Sequence, residues 1–190
     1  MGDAMKLKKI NAIVSLLTVL FLLLHVGFTG FCYLTMYYNP FLKKVFTLPF
    51  MIMVLAHAVL GMLSVFLLSD GTALIEYPKL NWKTTMQRVS AALIFPLLFL
   101  HIKSFDIYSF SAKSGNYILF FLVLIGNILF YLVLVMHVSV SISKALITLG
   151  LLSTKKNQER IDRIAMFLGT IIMICASVAI VRGLIIMFLK

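Results

Sequence analysis

Charge is scarce in this chain of 190 residues: Asp, Glu, Lys and Arg make up 12% of it, against roughly 25% in ordinary soluble domains. Hydrophobic residues reach 62%, with a mean hydropathy of +1.09. So small a polar complement cannot cover a soluble globule, which excludes that class and leaves lipid as the solvent. Acidic residues are the scarcest, 6 against 17 Lys and Arg, for a net charge of +11. In a soluble protein this imbalance would point to nucleic acid. In a membrane protein basic loops hold the topology and meet anionic lipid, so lipid is expected as a partner and nucleic acid is not. The want of intramembrane carboxylates also weighs against a proton-coupled carrier, where acids usually accompany histidine. There are 2 cysteines, Cys32 and Cys175, both in apolar stretches. Neither a CxxC pair for zinc or redox chemistry nor a CxxCH for covalent haem is present. The polar segments are short, so chemistry must sit in the bundle or be borrowed from partner subunits.

What the chain has in quantity is long apolar runs. A spanning helix needs about 20 such residues, because the hydrocarbon core is about 30 Å thick and each residue rises about 1.5 Å. Five stretches qualify, at about 10–34, 45–68, 89–108, 117–143 and 164–189. The fold expected is all-α: an integral membrane bundle of five transmembrane helices forming a single domain over 1–190. The first run follows Lys6-Leu7-Lys8-Lys9 but is too long for a signal core, and is read as a retained helix. With the N-terminus inside, one face holds Lys6, Lys8, Lys9, Lys79, Lys83, Arg88, Lys144, Lys155, Lys156, Arg160 and Arg163. The other holds Lys43, Lys44, Lys103, Lys113 and Lys190. Eleven against five places the N-terminus in the cytoplasm of a cell with a multi-pass inner membrane protein. Trp82 falls at an interface, where aromatic anchoring is expected.

The four histidines, His25, His57, His101 and His137, occupy the first four spans, one each. Ionisable groups inside a membrane are costly and mark function by default. Depth along the helices, at about 1.5 Å per residue, groups them: His57 and His137 tend inward, His25 and His101 outward. Two imidazoles at one depth can clamp a flat metal macrocycle from both sides, and ligation with no open position suits electron transfer. Two such sites would form a wire across the membrane. Gly27 and Gly61 allow close approach of a macrocycle, Ser139 offers a hydrogen bond, and Pro96 kinks the third helix before His101.

These features carry a resemblance. His57-Ala58-Val59-Leu60-Gly61, the run Asn81-Trp82 then Gln87-Arg88-Val89-Ser90 then His101, and His137-Val138-Ser139 resemble ligand segments of one family, with His25 where its first-helix ligand stands. That family is the five-helix di-haem cytochrome b membrane anchor of succinate dehydrogenases and fumarate reductases, the single-chain, menaquinone-linked type. Departures from its pattern are Ser141 and Ala91, where glycine is frequent, and Asn11 as the polar residue early in the first helix. The resemblance implies two haem b groups ligated by His57/His137 and by His25/His101, with menaquinone as redox partner. It implies an FAD flavoprotein subunit and an iron–sulfur subunit docked on the cytoplasmic face, and an electron-transfer role with no catalytic residue in this chain. Haem propionates would fall to Asn11, Arg88, Lys144 and Arg182, cationic groups being suited to carboxylates. Tyr33, Tyr37, Asn39, Asp106, Tyr108 and Asn116 form a polar cluster at the outer end, from which no quinone ligand is singled out. The competing classes are a di-haem cytochrome b of another membrane oxidoreductase, against which the Gln87-Arg88 to His101 spacing argues, and a haem-free anchor or transporter.

Overall fold

The structure is a computed structural model describing residues 2–68 and 82–189. The expected loop between the second and third spans, with Lys79 and Asn81, lies outside the described residues, as does Lys190. Five helices account for nearly all the rest: α1 Gly2–Thr35, α2 Pro40–Leu68, α3 Trp82–Ser114, α4 Tyr117–Thr148 and α5 Lys155–Phe188. Each is long and apolar enough to cross a membrane. The chain is an all-α, five-helix, multi-pass membrane bundle.

The helices outrun the apolar stretches that announce them, chiefly at the end rich in Lys and Arg. Helix α1 starts at Gly2, α3 at Trp82 and α5 at Lys155, while α4 continues to Thr148. Hydropathy marks where hydrocarbon ends, but straight-chain Lys, Arg, Gln and Glu remain good helix formers beyond it. The turns explain the actual stops. Asn39 Oδ1 accepts from the N–H groups of Phe41 and Leu42 at 3.0 and 3.1 Å, capping α2 with Pro40 at its first position. Gly115 (φ 68°) and Gly150 (φ 76°) end α3 and α4 in the left-handed region that glycine enters without a Cβ clash. Asn116 and Thr154 then cap α4 and α5, accepting from Leu119 N and Asn157 N. The connection between the fourth and fifth helices, expected between spans ending near 143 and starting near 164, is therefore much shorter: only residues 149–154 are non-helical.

Packing follows from these short turns. Helices α3 and α4 form the most intimate pair, α1 and α2 the next, and α5 lies along α4. Helix α1 joins the halves by packing on both α4 and α5. Helix α2 packs extensively on α1 alone among the described residues. The densest core lies at the end opposite the N-terminus, where Tyr108, Phe120, Val123, Ile180 and Leu184 bury together with Tyr33 against them. Gly183 matters here, since a Cβ would sit 2.3 Å from Tyr33 Cδ1. At the basic end Lys83 and Asp162 pair at 2.5 Å, tying the start of α3 to α5. The outward faces carry large exposed apolar side chains such as Leu55, Phe99, Ile118, Ile125 and Phe167, the expected face toward lipid.

Candidate functional site

His57 on α2 and His137 on α4 come together edge to face nearer the basic end, their ring centroids 6.2 Å apart and their planes inclined at 62°. That distance has a chemical meaning. Two metal–imidazole bonds of about 2.0–2.1 Å, each extended by about 1.1 Å from nitrogen to ring centre, add up to roughly 6.3 Å. Both rings are held from behind through Nδ1. His57 Nδ1 lies 3.1 Å from Asn11 Oδ1. His137 Nδ1 lies 3.2 Å from the Gln87 carbonyl and 3.1 Å from Ser90 Oγ. The carbonyl only accepts, so His137 Nδ1 carries its proton and Nε2 keeps the lone pair. Ser90 is positioned for this because its own hydroxyl donates to Met86 O at 2.7 Å. One helical turn after His57 and on its face, Gly61 leaves open space: a Cβ there would meet nothing within 4 Å.

The other two histidines lie toward the opposite end, on α1 and α3. His101 on α3 has Nδ1 2.8 Å from Asn127 Oδ1 and stacks on Phe130, with centroids 5.0 Å apart. His25 on α1 has Nδ1 3.4 Å from Thr47 Oγ1 and stacks on Phe50 at 5.1 Å. Thus all four imidazoles meet a protein partner at Nδ1, an arrangement also found behind metal-bound histidines, where Nε2 ligates.

The remaining expected residues are distributed as follows. Asn11, placed with the propionates by the resemblance, meets His57 instead of standing free. Lys144, two turns after His137, donates to Thr84 Oγ1 and to Gln87 Oε1, each at 2.9 Å, and Gln87 Nε2 donates to Ser141 Oγ at 3.0 Å. Arg88 and Lys83 lie within electrostatic range of Lys144, so cations gather beneath the His57/His137 pair. Arg182 is at the far end, where its guanidinium donates to the Leu34 carbonyl in the last turn of α1. In the outer polar cluster, Asn39 and Asn116 cap helices, Asn39 Nδ2 donates to Tyr37 Oη at 3.2 Å, and Tyr33 and Tyr108 enter the core.

Sequence reasoning passed over Thr47 and Asn127. The signal for Asn127 was present: a carboxamide within a strongly apolar span must find a partner. At the inner level the approach of His57 and His137 fits a bis-imidazole group, whereas His25 and His101 lie toward the same end of the bundle, each stacked on a phenylalanine of its own, Phe50 and Phe130. No family model, curated protein or solved structure matches the chain.

Proposed function

We propose that this chain is the di-haem cytochrome b membrane anchor of a complex of the succinate dehydrogenase or fumarate reductase type, relaying electrons between an iron–sulfur subunit and menaquinone. The observation that carries the haem reading is the approach of His57 and His137 to 6.2 Å, with each Nδ1 engaged. The choice of complex rests on the resemblance of the His57–Gly61, Gln87–His101 and His137–Ser139 segments. A haem held by two of these imidazoles would supply one-electron transfer.

The chain's own residues do the rest. Asn11, Gln87 and Ser90 orient the inner imidazoles; Asn127 and Thr47 stand behind the outer ones. The cations Lys144, Arg88 and Lys83 suit carboxylates at the inner level. The apolar exterior keeps water from the relay. Flavoprotein and iron–sulfur subunits dock at the basic end, which faces the cytoplasm in this proposal, with the N-terminus on that side.

A reduced-minus-oxidised visible spectrum of the purified chain or complex, with a pyridine haemochrome count, tests the proposal. The expected result is about two low-spin haem b per chain, the stoichiometry of two bis-His pairs. A well-folded preparation without haem overturns it and leaves the histidines as interhelical polar contacts of a haem-free anchor.

A further inference from the structure

Asn127 on α4 is fully buried, with 0% of its surface exposed. A carboxamide brings one acceptor oxygen and two N–H donors, and each left bare in such surroundings is costly. None is bare here. Nδ2 donates to the Val123 carbonyl at 3.0 Å and to the Tyr108 hydroxyl at 3.0 Å. Oδ1 stands 2.8 Å from His101 Nδ1.

The two ends of a carboxamide have the same shape, so their assignment must come from chemistry. The Val123 carbonyl can only accept, and the amide must turn its NH2 toward it. Oδ1 therefore faces His101, and because that oxygen also only accepts, the proton between them belongs to His101 Nδ1. A neutral imidazole has one N–H, which leaves the lone pair on Nε2. Stacking on Phe130 at 5.0 Å fixes the tilt of the same ring.

We propose that Asn127 is the positioning residue of His101, locking it in the Nδ1–H tautomer whose Nε2 is free to ligate, and setting the electron density on that ring. This rests on the reading of His101 as a haem ligand. The lock depends on the Val123 carbonyl one turn earlier, which holds the amide from flipping.

The test uses the full chain, in its complex where one is isolated, as wild type and as Asn127→Asp, Asn127→Leu and Tyr108→Phe. Haem content, low-spin electron paramagnetic resonance signals and midpoint potentials are measured, and His101→Ala identifies which haem His101 holds. Asn127→Asp keeps the acceptor and adds negative charge, so both haems remain and the midpoint of the His101 haem alone moves down. Asn127→Leu removes the acceptor, so that haem is held about 10- to 100-fold less tightly and its low-spin signal is lost. Tyr108→Phe leaves both haems as in wild type, because Val123 still orients the amide. The proposal is overturned if Asn127→Asp and Asn127→Leu leave the His101 haem at its wild-type potential and signal. It is equally overturned if both haems shift together, or if Tyr108→Phe alone reproduces the Leu phenotype, since a general packing role would then explain the effect. A wild-type chain without haem fails earlier and differently, taking the ligand assignment with it.

Discussion

A histidine inside lipid has two nitrogens to satisfy, and in this bundle each of the four spends Nδ1 on the protein. On the proposed function, with Nε2 left to ligate, the consequence is pairwise behaviour on mutation. His57→Ala and His137→Ala are expected to remove one and the same haem, His25→Ala and His101→Ala the other, read as two distinct losses in the reduced-minus-oxidised spectrum. Gly61→Leu fills the open space beside His57 without touching any protein atom within 4 Å at its Cβ. It is expected to abolish the His57/His137 haem while helix content by circular dichroism stays at the wild-type level; retention of both haems would show that the space is not used. The histidines were legible in the sequence because any polar side chain in a span stands out. Their partners were not, since Asn11 reaches His57 across 46 residues and Asn127 reaches His101 across 26. Such pairings depend on how each helix is rotated about its axis, which composition and spacing do not encode.

At the scale of elements, the five helices are longer than the bilayer requires. A helix of 34 residues such as α5 extends for about 51 Å against a hydrocarbon core of about 30 Å. The surplus projects mainly at the basic end as charged stubs, which is why spans drawn from hydropathy stopped short of Gly2, Trp82, Thr148 and Lys155. The number of helices and their order were legible because apolar runs of this length have one stable form in lipid, where every backbone group must be paired internally. Helix ends follow a different logic, set by Asn39, Gly115, Gly150 and Thr154. Replacing Asn39 with Ala removes the cap of α2 and is expected to lower stability by about 1 kcal/mol, measurable as a shift in thermal unfolding in detergent. Gly183→Ala forces a methyl against the root of the Tyr33 ring, 3.2 Å from its Cβ. That overpacking between α1 and α5 is expected to destabilise by about 1–3 kcal/mol, seen in the same assay. An unchanged transition would mean that the two helices separate at little cost.

For the whole molecule, five crossings put the termini on opposite sides of the membrane. A reporter active only outside the cytoplasm is expected to work when fused after Phe188 and to be silent when fused before Gly2; the reverse pattern would invert the proposed orientation. The distribution of cohesion is just as consequential. Helices α3 and α5 each pack closely on α4, and α1 leans on α4 and α5, whereas among the described residues α2 has extensive contact with α1 only. On the proposed function, α2 is clasped to α4 by coordination bonds through His57 and His137 rather than by interlocking side chains. Because a ligand that binds only the closed form stabilises it, maturation of the bundle becomes tied to cofactor supply. On that reading a chain without haem would keep α1, α3, α4 and α5 together while α2 alone loosens, and protease sensitivity confined to α2 would report on cofactor loading.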